Sequence, residues 1–178
     1  MILVGLVDKF WHLSDNISLF NVRNPEVIDY IYKITQNQCI ITDNETYEEN
    51  KNNDIFKKRN FIVGDIEEIK NMLDKTDKLN FVVIGKESLY NDLLDYCVGA
   101  YIIRSDKEFR STSYFPQLIN IDHWKSGFGK ELDKFEETTY TIERYYNSNS
   151  IKGDSDGRTI KGRSSIKKNK TYKLTSSS

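Results

Sequence analysis

Short apolar runs separated by segments of helical periodicity constrain this chain more than any other feature of its sequence. Five runs have the length and apolar content of buried strands: 2–7, 39–42, 61–63, 81–84 and 98–104. After them, 124–128 and 138–146 read as an antiparallel pair, the second with a period of two. Strands that alternate with helices and end in further strands predict an α/β fold. We expect a central, mostly parallel sheet with an antiparallel C-terminal edge and flanking helices.

Helix signals fill the intervals between the runs. Asn24 before Pro25, followed by apolar residues at helical spacing, predicts a helix from about residue 25 to 35. Residues 65–75 show a second amphipathic pattern, and Gly85 opens a third helix. The charged stretch 43–59 is read as a connection.

Composition narrows the class of protein. The 178 residues suffice for one core but are short for two full-sized domains, and 9 Phe, 11 Tyr and 2 Trp argue against wholesale disorder. No apolar run approaches the roughly 18 residues of a membrane span, and the N-terminus lacks the pattern of a signal peptide. Cys39 and Cys97 lie in apolar runs, where buried thiols are expected. A cytoplasmic, reducing location fits these features.

The near-neutral net charge hides an acidic body and a basic tail. Residues 151–178 hold eight basic and two acidic residues, a net of +6, which leaves 18 basic and 25 acidic residues, a net of −7, in 1–150. We therefore divide the chain into a domain, 1–147, and a Ser/Gly/Lys-rich tail, 148–178, which alone should be disordered. We expect the tail to bind a protein partner in an assembly, with nucleic acid an option through the tail only and no membrane contact. Its basic residues are Lys152, Arg158, Lys161, Arg163, Lys167, Lys168, Lys170 and Lys173.

In sheets of this kind ligands bind at the carboxyl ends of the strands, which directs attention to 12–24, 42–47 and 85–90. No metal site is expected, because His12 and His123 are far apart and lack ligand-type spacing to other residues.

Several segments of the sequence resemble those of one known family. Four segments, taken in order, resemble the C-terminal half of dihydrofolate reductase. They are Val83-Ile84-Gly85-Lys86-Glu87-Ser88-Leu89-Tyr90, Ala100-Tyr101-Ile102-Ile103-Arg104, Tyr114-Phe115-Pro116 and the aromatic strand Thr139-Tyr140-Thr141-Ile142-Glu143-Arg144-Tyr145. Upstream, Pro25–Thr35 is similar to that family's folate-contacting helix, and 40–47 to its strand and phosphate-binding turn. The resemblance runs from Met1 to about Asn147. It implies the dihydrofolate reductase fold and an enzyme that transfers hydride from NADPH and protonates a pterin.

The resemblance places the family's pterin-binding carboxylate at Val27. Glu26, the candidate catalytic residue, lies one residue earlier, which on a helix is a rotation of about 100°, and an acid there is also favoured simply by the helix N-terminus. The family's threonine that supports the carboxylate corresponds to Ile103. Ile28 and Ile31 share the register of the folate-contacting helix and are candidate substrate-binding residues, as Ile103 is.

The cofactor side departs from the family in a similar way. Asp43-Asn44-Glu45-Thr46 stands where the family has Gly-Arg-x-Thr, and two carboxylates facing a phosphate are repulsive. Only Thr46 is retained, and alone it could equally be a helix cap. The family's Gly-Gly turn is Gly85-Lys86, and Lys86 either contacts phosphate or is a solvated surface lysine. Thr46, Gly85 and Lys86 are the candidate cofactor-binding residues.

Two further substrate-binding candidates follow from the resemblance. Phe20 corresponds to a family tryptophan, and Lys58, with its neighbour Arg59, lies where the family has an arginine that grips the glutamate tail of folate, a match that is compatible with binding but not specific. Trp11 and His12 stay unassigned.

These departures leave two functions open, beside a nucleic-acid binder that acts through the tail. One is a protein that has lost catalysis, needs no cofactor and acts as a structural or binding module anchored by its tail; its richness in Asn, Lys, Ile and Tyr suggests a phage particle or assembly component, in the host cytoplasm or the virion. The other is an active NADPH-dependent dihydrofolate reductase with an altered site.

Overall fold

A sheet of eight strands organises the computed structural model, which describes residues 1–15, 18–78, 80–151 and 171–173. The strands are β1 (Ile2–Val7), β2 (Cys39–Thr42), β3 (Asn60–Val63), β4 (Phe81–Val83), β5 (Gly99–Ser105), β6 (Trp124–Glu131), β7 (Tyr140–Asn147) and β8 (Thr171–Lys173). Their order is β6-β7-β5-β1-β4-β2-β3-β8. All neighbours from β5 to β8 pair in parallel, whereas β7 is antiparallel to β5 and β6 to β7. The predicted mostly parallel sheet with an antiparallel edge is confirmed.

Six helices and three single 3-10 turns connect the described strands. The helices are α1 (Pro25–Thr35), α2 (Asn44–Asn50), α3 (Asp54–Lys57), α4 (Ile66–Leu73), α5 (Glu87–Leu93) and α6 (Ser148–Ile151), and the turns are Leu19–Asn21, Leu94–Tyr96 and Leu118–Asn120. Helix α1 starts where predicted because Asn24 Oδ1 accepts hydrogen bonds from the N–H groups of Glu26 and Val27. In the described part of the chain, no helix combines the length and the apolar content that crossing a bilayer requires.

The core divides into two layers because β1 alternates its side chains between the two faces of the sheet. Leu3 and Val7 belong to one cluster, which is completed by residues of α4 and α5, and Val4 and Leu6 belong to the other, which includes residues of α1. Tyr90 of α5 fixes its layer to the sheet, since its hydroxyl donates to the carbonyl oxygen of Val4 at 2.7 Å.

The structure contains elements that the sequence did not predict. Helices α2 and α3 occupy the charged stretch 43–59, and β8 adds a strand within the tail. Cys97 is buried as expected, but Cys39, at the outer end of β2, is only half-buried. Burial raises the thiol pKa of Cys39 to about 11 and that of Cys97 to about 12, so neither is a reactive thiolate at neutral pH.

Most of the tail, which the sequence predicts to be disordered, lies outside the described residues. Of the eight basic tail residues, seven lie outside them, and Lys173 lies in β8, where only the backbone is described.

Candidate functional site

A cleft lies at the carboxyl ends of the parallel strands, where the sheet geometry predicts ligand binding. It brings together Phe20, Thr46, Gly85 and Lys86, four of the residues selected from the sequence. Its volume is about 70 Å³, whereas typical small-molecule sites have roughly 300–1,000 Å³.

The 3-10 turn Leu19–Asn21 contributes two apolar side chains to the lining of this cleft. Leu19 and Phe20 are 5% and 4% exposed. The Phe20 ring meets that of Phe56 edge-on with centroids 4.2 Å apart, and the Asn53 side-chain amide donates to the carbonyl oxygen of Phe20 at 2.7 Å. The 3-10 turn that carries both residues is capped by Ser18, whose hydroxyl oxygen accepts from the N–H of Phe20. Side chain and backbone thus both fasten the loop onto the segment that holds α3.

The position that the resemblance assigns to the pterin-binding carboxylate lies in the apolar core. Val27, Ile31 and Ile103 are all 0% exposed and share a cluster with Phe20. A carboxylate at position 27 would therefore be buried among hydrocarbon side chains, which is costly without a partner.

Three other candidates lie away from this cleft. Glu26 is exposed, and its carboxylate accepts a hydrogen bond from the N–H of Asp133 at 3.3 Å; it lines a second cleft, between α1 and β6. Ile28 is half-buried on α1. Lys58 is exposed, with its amine 5.7 Å from the centroid of the Tyr32 ring.

The Asp43 carboxylate joins the two turns of the candidate cofactor site. Its Oδ1 accepts from the N–H of Thr46 at 2.7 Å, and its Oδ2 accepts from the Thr46 hydroxyl at 2.9 Å and from the N–H of Lys86 at 2.8 Å. Gly85 permits this approach, because a Cβ atom there would lie 2.5 Å from Asp43 Oδ2. One carboxylate therefore caps α2 and also binds the turn that precedes α5.

The Lys86 ammonium group is balanced by carboxylates of α2. Its Nζ lies 3.2 Å from Glu49 Oε2 and 3.8 Å from Glu45 Oε1. These pairs are partly exposed and contribute little to stability, but they direct the cation toward α2.

A polar network that the sequence reading left unassigned holds the start of the loop after β1. Asp8 is 0% exposed and accepts hydrogen bonds from the N–H groups of Phe10, His12 and Phe109 and from His12 Nδ1, at 2.8 to 3.0 Å. Burial alone would raise the pKa of Asp8, but these hydrogen bonds, that from Phe109 most strongly, lower it overall. The network encloses Trp11, which has a φ of 69°. The spacing Asp-x-x-x-His was the available sequence signal.

A metal centre has no support in the described part of the chain, where no three His, Cys, Asp or Glu side chains are grouped so as to hold an ion.

Comparisons with known proteins bear on this arrangement. The family model for dihydrofolate reductase matches residues 35–147. A search of curated proteins finds no match. Among solved structures, dihydrofolate reductase from Enterococcus faecalis, complexed with NADP(H) and RAB-propyl, is similar with a TM-score of 0.64 and 15% identity, over 82% of this chain and 95% of that chain. That likeness supports the fold, and the family model covers well over half of the chain. The chain therefore belongs to the dihydrofolate reductase family.

Proposed function

We propose that this chain is a member of the family that does not transfer hydride and serves as a structural or binding module. The observation that carries the proposal is the Asp43 carboxylate between Thr46 and Lys86. It accepts hydrogen bonds from the N–H and hydroxyl of Thr46 and from the N–H of Lys86, in the two turns that the resemblance assigns to the phosphates of NADPH. A phosphate would have to displace it and approach Glu45 and Glu49 as well, and these like charges repel. The residues present do not fit this cofactor.

The substrate side supports the same proposal. A pterin held as in the family needs a charge-assisted pair to a carboxylate, and Val27 and Ile103 offer none. Glu26 does not replace it, because Glu26 and Lys86 line different clefts on the molecule. The remaining space beside Phe20 is too small for a bicyclic ring and a nicotinamide together.

The basic tail supplies the proposed binding role. With a net charge of +6 beside a body of −7, it suits a partner protein with an acidic surface in an assembly such as a phage particle, located in the host cytoplasm or the virion. Nucleic acid is the other class of partner that such a tail attracts.

An active NADPH-dependent reductase is the alternative function, and family membership is the observation that favours it. It requires that cofactor binding displace Asp43 from Thr46 and Lys86.

Thermal unfolding of the full chain with NADPH and with methotrexate tests the loss of catalysis. A ligand at 100 times its Kd adds about 2.7 kcal/mol, which corresponds to roughly 5–11 °C in Tm for a chain of this size. We expect no shift with either ligand, whereas the Enterococcus faecalis enzyme, as positive control, should shift with NADPH. A shift of several degrees, or oxidation of NADPH dependent on dihydrofolate, would overturn the proposal.

The role of the tail is tested separately by comparing the full chain with one that ends at Asn147. Electrophoretic mobility shifts with DNA and with an acidic model protein, measured across salt concentrations, should differ between the two chains if the tail binds. Equal behaviour would exclude the tail as the binding element.

A further inference from the structure

A second cleft, here called the α1–β6 cleft, lies on the outer side of α1 and has a volume of about 190 Å³. Its strand side follows from the register of the antiparallel pair: Lys130 is opposite Ile142, and Arg144 lies two residues farther along β7 on the same face. Leu132 and Phe128 complete that side. The cleft is therefore built by two regular elements, and α1 forms its opposite wall.

The floor and walls of the α1–β6 cleft are apolar. Leu132 and Ile142 are 6% and 4% exposed and form the floor. Tyr30 of α1 forms one wall and packs edge-on against Tyr101, with ring centroids 5.8 Å apart. Phe128 is 64% exposed at an irregularity in the β6–β7 pairing and stands at the mouth. Burial raises the pKa of Tyr30 to about 12, so its phenol is neutral at physiological pH.

Two cations at the cleft have no carboxylate partner among the described residues. Arg144 stacks its guanidinium group 5.2 Å from the centroid of the Tyr101 ring, and its N–H groups have no hydrogen-bond acceptor among the described residues. Lys130 likewise forms no ion pair with a described residue. The α1–β6 cleft thus combines an exposed aromatic ring, a buried apolar floor and two cations without a carboxylate partner among the described residues.

The α1 side of the cleft contributes one ion pair and one carboxylate. Asp29 pairs with Lys33 at 2.8 Å, and Glu26 accepts from the N–H of Asp133. The charged side chains that line the cleft are thus three cations and two carboxylates, so the balance favours an anionic ligand.

We propose that the α1–β6 cleft binds a single-ring aromatic carboxylate. A cavity of roughly 150 Å³ accommodates benzene, so about 190 Å³ accommodates one ring with a small substituent. The ring lies on Leu132 and Ile142 between the two aromatic walls. The carboxylate lies against Arg144, whose planar fork matches its two oxygens.

Benzoate is the probe for this site, and the test follows the amide and aromatic resonances of the full chain in an NMR titration. We expect saturable shifts at Tyr30, Phe128 and Ile142 as benzoate is raised through about 1 mM, a Kd that corresponds to only −4.1 kcal/mol. Benzyl alcohol, of similar size but uncharged, should bind at least about ten-fold more weakly, because it lacks the charge-assisted hydrogen bonds.

Matched variants distinguish binding of benzoate in the α1–β6 cleft from general attraction of the anion to surface cations. Arg144→Gln and Lys130→Gln should each weaken benzoate binding, the first by about ten-fold or more. Lys125→Gln, on the same strand but outside the cleft, should leave it unchanged. All three side chains are exposed, so the fold should persist, and unchanged Tm values check this. Shifts that do not saturate, equal binding of the uncharged probe, or equal effects of Lys125→Gln and Arg144→Gln would overturn the proposal.

Discussion

Replacing Asp43 with alanine tests whether its carboxylate joins two parts of the molecule as the geometry indicates. The substitution removes the N-cap of α2, which costs about 1 kcal/mol. The substitution also removes the acceptor of the 2.8 Å hydrogen bond that the N–H of Lys86 donates to Asp43. An unsatisfied part-buried donor costs about 1–3 kcal/mol more. We therefore expect the free energy of unfolding to fall by about 2–4 kcal/mol.

Asp65→Ala is the matched control. Asp65 caps α4 by accepting from the N–H groups of Glu67 and Glu68, but it has no partner outside its own helix among the described residues. Its loss should cost about 1 kcal/mol. Urea denaturation of both variants, with the m-value checked for constancy, measures the difference. Equal losses for Asp43→Ala and Asp65→Ala would refute the bridging role, and with it the main argument against cofactor binding.

Three further outcomes follow from the packing. Asp8→Asn should destabilise the chain at pH 7. Because the folded pKa of Asp8 is lowered, the stability that its carboxylate contributes is present above about pH 4 and is lost as pH falls through the folded pKa. Urea titrations should therefore show the difference in unfolding free energy between the variant and the original chain narrowing in acid, and a difference independent of pH would contradict this. Val27→Asp should cost several kcal/mol or prevent folding, because the new charge has no partner in its apolar cluster, and a stable variant that binds methotrexate would contradict the proposed loss of the substrate site. Ending the chain at Lys170 should speed amide exchange in Asn60–Val63, since β3 then loses a partner strand, and unchanged exchange would count against β8.

The sequence predicted an element correctly where the spacing of its apolar residues and its capping residues indicated the same structure. Pro25–Thr35 combines a capping asparagine, a proline at the first turn and an apolar stripe, and the structure has this helix with the predicted bounds. Helix α2 lacked such a stripe: Thr46 and Asn50 are its buried residues, and its cap, Asp43, was interpreted only as a charge. Strand β6 was predicted too short because, after Trp124, its side chains are exposed and its extent depends on pairing with β7.

The candidate site shows the same limit. The sequence predicted which residues would approach the carboxyl ends of the strands, and Phe20, Thr46, Gly85 and Lys86 do line one cleft. It did not predict that Asp43 would accept from Lys86, because a hydrogen bond between residues 43 positions apart depends on the tertiary fold. The α1–β6 cleft was missed for a related reason, since its walls come from strands and a helix that no local pattern connects.

The position of β8 gives the chain a defined direction of assembly during translation. Strand β3 is synthesised long before β8, and domains generally begin to fold from the N-terminal part as it emerges. Until β8 leaves the ribosome, the backbone N–H and C=O groups of Phe61, Ile62 and Val63 on that side have no partner strand and can pair with other chains. A chain interrupted before β8 would therefore leave β3 as an unpaired edge strand, which is prone to lateral association.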